Sequence, residues 1–467
     1  MTLPTTYLII GAGPNGLVAA RAFKRYGIDF DLIERNSRAG GIWDIDNPGS
    51  PMYESCSMIT SRIAGGFVGY PMPSDLAMYP KWHQLRDYIQ GFAHEFHLDD
   101  HCEFGVAVES AEQVETEEGS SWRVRLSNGE TRDYRGIYSA IGTQWLPQIP
   151  EIEGLDTFTG RAIHAREYRS PSEFDGKRVL VVGAGNSGVD IVSDAAFRAD
   201  AAFLSTRRPY YVFPKQIFGN ALPDFLDGRG RVESRPWMEG LEPNDFVDVI
   251  LSTVGDLEVY GLPKPEGPIG ETHPIVSNTL LHVLSHGLLK RHPDVTRVEG
   301  STVHFADGSS EQIDVIVFAT GYRVRYDFLP DGVVEYQAGG HPKLHLETFF
   351  PGVPGLYSGG TMHAAVGTNW TMYDYFANFA AADAHATLTG ENAENMRRFR
   401  EEYDPDMTGG FPFVDTPRNE NQCDPQMVLV EIPRAAREEF GIPLPAGFDD
   451  AEFYASLPRR SREAAAA

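Results

Sequence analysis

A chain of 467 residues is too long for one ordinary hydrophobic core, so two or three domains are expected. Hydrophobic residues at 42% and charged residues at 23% are globular values and exclude wholesale disorder. The net charge of −26 argues against a nucleic-acid partner, which requires a basic face.

The first element arrives almost at once. "MTLPTTYLIIGAGPNG" makes Tyr7–Ile10 a buried strand and leaves no room for a signal peptide. Gly11-Ala12-Gly13-Pro14-Asn15-Gly16 follows, then a helical pattern ending at a Gly27 C-cap. A second strand, "FDLIER", carries Glu34 and Arg35. Further on, "WRVRLSNGETRDYRGIYSAIG" alternates at Trp122, Val124 and Leu126 and turns at Ser127-Asn128-Gly129-Glu130. It ends in a strand running into Ala140-Ile141-Gly142.

The layout then repeats. "RVLVV" leads into Gly183-Ala184-Gly185-Asn186-Ser187-Gly188, a helix, and the strand "AAFLSTRR". "STVHFADGSSEQIDVIVFATG" supplies a turn at Asp307-Gly308 and a strand ending at Ala319-Thr320-Gly321. Strand, Gly-rich loop, helix, strand, hairpin and strand occur twice. This predicts an α/β fold of two doubly wound Rossmann-type dinucleotide-binding domains, the second inserted into the first. The expected division is 1–157, 158–325 and 326–467, the last stretch completing the first domain.

Each Gly-rich loop follows a strand and opens a helix, the context in which G-x-G-x-x-G meets a pyrophosphate. The first Gly makes the turn, the second admits the anion to the backbone, and the third lets helix and strand pack. Discrimination lies at the end of the second strand. Glu34, 23 positions after Gly11, suits hydrogen bonds from an adenosine ribose and repels a 2′-phosphate. Arg207, 24 positions after Gly183 and followed by Arg208, offers a guanidinium fork that matches a 2′-phosphate. Opposite signs at matched positions assign FAD to the first domain and NADPH to the second.

Cys56, Cys102 and Cys423 stand far apart with no C-x-x-C, so no disulfide framework, zinc knuckle or dithiol pair is expected. That pattern points to a reduced, cytoplasmic setting. No apolar run reaches membrane-spanning length, so no membrane partner is expected. The sequence allows a homodimer without requiring one.

Between the two loops, "FTGRAIHAREY" fits F-x-G-x-x-x-H-x-x-x-(Y/F) at Phe158, Gly160, His164 and Tyr168. Gly40-Gly41-Ile42-Trp43, the "FATGY" ending at Thr320-Gly321-Tyr322, and "GLPKPEGPIGETHPIVSN" accompany it. With these motifs the chain resembles the class B flavin-containing monooxygenases from Leu8 to Gly441. The resemblance implies that NADPH reduces FAD and that reduced flavin captures O2 as a C4a-hydroperoxide. Its distal oxygen then passes to a small-molecule amine nitrogen or sulfide. It also implies that His164 couples the two domains rather than acting as an acid, base or metal ligand. The motif residues Gly41, Ile42, Trp43, Gly142, Thr320, Gly321 and Tyr322 are expected to join the two loops around the cofactors.

"GLYSGGTMHAAVGTNWTMYDYF" presents Gly359-Gly360 and Gly367-Thr368-Asn369-Trp370 before an apolar-rich helix. In flavoproteins with two dinucleotide domains such a helix points its N-terminus at the flavin pyrimidine edge, where its dipole stabilises the anionic reduced ring. Gly360 and Asn369 are therefore assigned to the cofactor, and His363 is read as a packed loop histidine. Thr60 and Ser61, in "SMITSRIAGG", stand where the family commonly has Thr-Asn. A hydroxyl has a shorter reach than a carboxamide, so this departure bears on how well NADPH use is coupled to oxygenation. Thr60, Ser61 and His164 complete the candidate catalytic set.

Tyr210, Tyr211, Phe213, Phe218, Phe225 and Trp237 read first as core and second as a substrate channel. Among rival readings, Baeyer–Villiger enzymes usually end the His motif with Trp followed by Pro or Asp, where this chain has Tyr168-Arg169. Disulfide reductases of the same fold require a C-x-x-C. An uncoupled NADPH oxidase and a flavoprotein that only binds or senses stay open.

Overall fold

The computed structural model describes residues 3–227, 243–364 and 369–445. Trp237, Gly367 and Thr368 lie outside the described residues, as do the side chains of His363 and Asn369.

Two five-stranded sheets, parallel throughout, carry the chain. The first runs Leu356–Ser358, Gly136–Ser139, Tyr7–Ile10, Phe30–Glu34, Cys102–Phe104 across its width. The second runs Arg161–His164, Val315–Phe318, Arg178–Val182, Ala201–Ser205, Leu289–His292. Position for position the two orders match, and so does the register: Ile10 faces Ser139, and Val182 faces Phe318. Only the outer strand is supplied differently. The second sheet takes it from the chain before its Gly-rich loop; the first takes it from the chain after the second sheet is finished. That return places one unit inside the other.

These strands form because both faces are covered. Tyr7–Ile10 and Gly136–Ser139 are buried at every residue, the near-continuous apolar run of a parallel sheet between helical layers. Helix Pro14–Arg25 packs on helix Asn369–Thr389, and the buried pair Arg21–Asp374, 2.5 Å apart, crosses that contact. Burial raises the Asp374 carboxyl to about 6 in spite of the guanidinium beside it. Each unit also carries a three-stranded antiparallel meander. Val108–Thr116, Gly119–Leu126 and Thr131–Tyr134 form one; Val295–Glu299, Thr302–Phe305 and Ser310–Gln312 form the other. The expected turns at Asn128-Gly129 and Asp307-Gly308 link their last two strands.

The aromatic stretch resolves mostly as core. Phe213 and Phe225 are buried with Ile217, Leu222 and Ile250, whereas Phe218 is exposed. Among the described residues no helix is long and apolar enough to cross a membrane.

Candidate functional site

The two Gly-rich loops share one geometry. Gly11 has φ +102° and Gly183 φ +106°, and a Cβ would stand 2.7 Å from the Ala140 oxygen in one and 2.6 Å from the Ala319 oxygen in the other. A Cβ on Gly16 would overlap the Gly11 carbonyl, and one on Gly188 would overlap that of Gly183. Only glycine satisfies the turn and the close approach of helix to strand. Gly13 and Gly185 cap the two helices, with Pro14 at the first position of one.

Glu34 ends the second strand buried, and its carboxylate accepts from Ala12 N at 2.7 Å and from Asn36 N and Nδ2 at 2.8 and 2.7 Å. It thus holds the loop as well as facing the cavity. At the matching place in the second unit, Arg291 donates to Thr206 Oγ1 and O at 2.8 and 2.9 Å, fixing the residue before Arg207 and Arg208. Arg207 is exposed and Arg208 half-buried.

One cavity of about 850 Å³ opens at the carboxyl ends of both sheets, where doubly wound folds take their ligands. The first loop brings Gly11, Gly13, Pro14 and Asn15 to it, and the strand end brings Glu34 and Arg35. Gly41, Ile42 and Trp43 line it from the following turn, and Gly142 from the matching strand end. Asn186 and Ser187 enter from the second loop, Tyr322 from just beyond the strand Val315–Phe318, and Gly360 from beside the long helix. Asn15 ties several of these together: it donates to the Gly359 oxygen and accepts from Tyr138 Oη at 2.9 Å. Trp370, in the first turn of helix Asn369–Thr389, also faces the cavity and stacks on Phe67 with ring centroids 4.7 Å apart. Gly16, Gly183, Gly185 and Gly188 lie behind the wall as packing positions, and Arg207 and Arg208 do not line it.

His164 lies outside the cavity, almost fully buried. Its Nε2 is 3.0 Å from the Gly321 oxygen, its Nδ1 accepts from Arg166 N at 3.1 Å, and its ring meets Tyr322 edge-on. Burial holds its pKa below the usual histidine value. Thr320 is anchored through Oγ1 to the Gln148 oxygen at 2.5 Å. Tyr168, at the end of the motif, donates to Asp194 Oδ2 at 2.9 Å.

Thr60 and Ser61 part company. Thr60 lines the cavity, and its buried hydroxyl has no partner among the described residues. Ser61 is fully buried away from the cavity; it donates to Asp224 Oδ1 and accepts from Ile63 N and Ala64 N at 3.2 and 3.0 Å. A second orphan, Ser139 Oγ, also belongs to a cavity-lining residue and is 2% exposed. Buried hydroxyls are rarely left unpaired. Two lining one cavity, which the glycine-only loops also line, fit a polar ligand as extended as a dinucleotide.

Among the cavity residues not singled out from sequence, three shape its polar surface. Ser139 is the polar end of an otherwise apolar strand. Trp145 packs on Gly142 and takes the Arg35 guanidinium over its ring at 4.2 Å. Asp190, one helical turn beyond Asn186, accepts from Tyr53 Oη at 3.2 Å, and burial raises its pKa. The polar residue closing "GIYS" and the i, i+4 spacing of Asn186 and Asp190 were the available signals.

The sequence matches the family model described as Flavin-binding monooxygenase-like over residues 6–352. The probable indole-3-pyruvate monooxygenase YUCCA9 of Arabidopsis thaliana is 32% identical over 369 residues, covering 76% of this chain and 83% of its own. Flavin-containing monooxygenase 5 of Rattus norvegicus is 29% identical over 337 residues, 70% of this chain and 63% of that protein. Among solved structures, S-allyl-L-cysteine S-oxygenase from Allium sativum superposes with a TM-score of 0.62 at 19% identity, covering 94% of this chain and 89% of its own.

Proposed function

The chain belongs to the flavin-binding monooxygenase-like family, and from that premise we propose that it transfers one oxygen atom from O2 to an amine nitrogen or a sulfide sulfur. It is an NADPH-dependent flavin monooxygenase whose cofactors are FAD and NADPH, acting on a small molecule and O2. The reading rests on one observation: a single cavity brings both dinucleotide loops together with the unpartnered Thr60 hydroxyl.

Bound FAD, reduced by NADPH, supplies the oxygen-activating chemistry. In balance, NADPH, a proton, O2 and the nucleophile give NADP⁺, water and the oxide. The chain's own residues bind, orient and exclude water. Gly11, Gly13 and Glu34, with Ser139 beside them, hold FAD; Asn186 and Ser187, with Arg207 and Arg208 at the far end, hold NADPH. Thr60 offers a hydroxyl at the reacting centre, and Met58, Phe213, Leu222 and Pro223 give that part of the cavity an apolar wall. His164 positions the crossover rather than moving a proton, because both of its ring nitrogens are engaged by the backbone. The division into 1–157, 158–325 and 326–467 belongs to the same proposal, with the first and third stretches forming the FAD unit.

A second reading, oxygen insertion beside a carbonyl in Baeyer–Villiger fashion, is favoured by the Arabidopsis relative, which is named for a 2-oxo acid. Arg166 and Arg323 on the cavity wall could meet such a carboxylate. Against it, Tyr168-Arg169 stands where the Baeyer–Villiger motif has Trp followed by Pro or Asp.

The experiment supplies ¹⁸O2 and NADPH with a tertiary amine, a sulfide and a 2-oxo acid in turn. Label in an N-oxide or sulfoxide supports the first reading, and label only in the acid product selects the second. Stoichiometric H2O2 with all three would reject both and leave an NADPH oxidase.

A further inference from the structure

Ser61 occupies the place from which the family commonly extends an amide toward the flavin, yet its hydroxyl is spent elsewhere. It donates to Asp224, a residue 163 positions away in the second unit, and both side chains are almost wholly buried. Asp224 follows Leu222 and Pro223, and those two residues, with Phe213, form the part of the cavity wall that the second unit contributes near Thr60. The wall is backed by Phe225, Ile217 and Ile250, which pack behind it. Two further ties reach 213–225 from the chain just beyond that loop: Tyr79 Oη donates to the Lys215 oxygen, and Gln216 Nε2 lies 3.5 Å from Met78 Sδ, while Arg62 N donates to the Met78 oxygen at 3.0 Å.

We propose that Ser61 and Asp224 are positioning residues that latch the second unit's wall, 213–225, onto the first unit's loop, 58–66, and so close the cavity beside Thr60 against water. The proposal rests on the monooxygenase reading only for its consequence. A buried carboxylate is costly unless it is hydrogen-bonded, so Asp224 is held where its partners are. Ser61 is one of them, and it also accepts the amides that close its own turn. The hydrogen bond therefore fixes two loops from different units at once. The serine found in place of asparagine becomes the residue that suits this geometry, and Thr60 is left to present the only hydroxyl of the pair to the cavity.

When the wall stands closed, one oxygen atom of O2 reaches the nucleophile and the other leaves as water. When it opens, water enters, and the two electrons of NADPH leave with two protons and O2 as H2O2. Asp224→Asn keeps an oxygen acceptor for Ser61; Asp224→Leu and Ser61→Ala remove the bond from either side.

The test uses the FAD-loaded full chain of each variant. Hydrogen–deuterium exchange is followed across 58–66 and 213–225, together with H2O2 formed per NADPH consumed with methyl phenyl sulfide present. Exchange severalfold faster in both segments for Asp224→Leu and Ser61→Ala, with Asp224→Asn close to the parent, is the expected result. H2O2 per NADPH should rise severalfold in the same two variants while FAD content stays constant. Unchanged exchange in both disrupting variants would overturn the latch, and so would an Asp224→Asn protein as open as Asp224→Leu. Should the parent protein itself return all its electrons as H2O2 while exchange still follows the latch variants, the latch stands and the oxygenation reading fails.

Discussion

His164 Nε2 lies 3.0 Å from the Gly321 carbonyl oxygen while its Nδ1 accepts the Arg166 amide at 3.1 Å. Only the neutral Nε2–H tautomer satisfies both contacts, because a protonated ring would turn a second N–H against the Arg166 amide. The histidine of "FTGRAIHAREY" therefore joins the outer strand of the second sheet to the loop after Val315–Phe318. The chain leaves the second unit through that loop on its way back to the first.

Protonation of His164 should consequently destabilise the fold. Burial puts the folded pKa below the unfolded value of about 6.5. Above that value both states are neutral and the contribution is fully present. As pH falls, the unfolded chain takes the proton first, and the contribution is lost downward from there. His164→Gln keeps a donor and an acceptor but cannot titrate. Thermal melts of the two proteins should converge or cross between pH 7 and 5, with the histidine protein losing more stability. Parallel curves over that window would reject the assignment.

Glu347 titrates in the opposite sense. Its carboxyl is buried, accepts from Thr361 Oγ1 at 2.8 Å, and is pushed up to about 7 by burial. It also sits with Leu346 in the left-handed backbone region, at φ 54° and 49°. Because the folded pKa lies above the unfolded one, its contribution is present below about 4.3 and lost as pH rises through 7. Glu347→Gln imitates the protonated form. It should be only a little more stable than the parent at pH 5 and should exceed it at pH 8 by on the order of 3 kcal/mol at most. Urea unfolding at the two pH values measures the difference, and an equal effect at both would show that Glu347 is ionised throughout.

The sequence exposed whatever depends on neighbours along the chain and hid whatever depends on neighbours in space. Gly11, Gly16 and Glu34 were legible because turn, helix start and strand end follow each other within one supersecondary unit. The insertion was legible because the repeat left the first sheet one strand short, and Leu356–Ser358 supplies it. The fate of Ser61 was not legible, since Asp224 enters from another unit. Nor was the packing of Trp145 over Arg35, which brings two loops together across the sheet end.

On the proposed assignment, Arg207 distinguishes NADPH from NADH. A guanidinium on a 2′-phosphate is a charge-assisted contact worth about 1.5–3 kcal/mol. Arg207→Ala should therefore raise KM for NADPH about tenfold to a hundredfold and leave KM for NADH unchanged. Steady-state kinetics with both cofactors decides it. A parallel loss with NADH would mean that Arg207 supports the fold of the strand end, where Arg291 already anchors Thr206.

Thr60 offers the sharpest separation of stability from chemistry. Its hydroxyl is buried and has no partner among the described residues, so a change to the near-isosteric Val removes an unsatisfied polar group and adds none. Thr60→Val should match or exceed the parent in melting temperature, by up to about 1 kcal/mol in stability. If that hydroxyl serves the reacting centre, the same variant should send a larger share of NADPH electrons to H2O2 while binding FAD as before, and Thr60→Ser should restore the parent ratio. Ser61→Ala makes the contrast. It should lose stability, because Asp224 is left short of a donor, and should uncouple by opening the wall rather than by removing a donor from the cavity. A Thr60→Val protein that is both less stable and fully coupled would place the working hydroxyl elsewhere, with Ser139 the next residue to change.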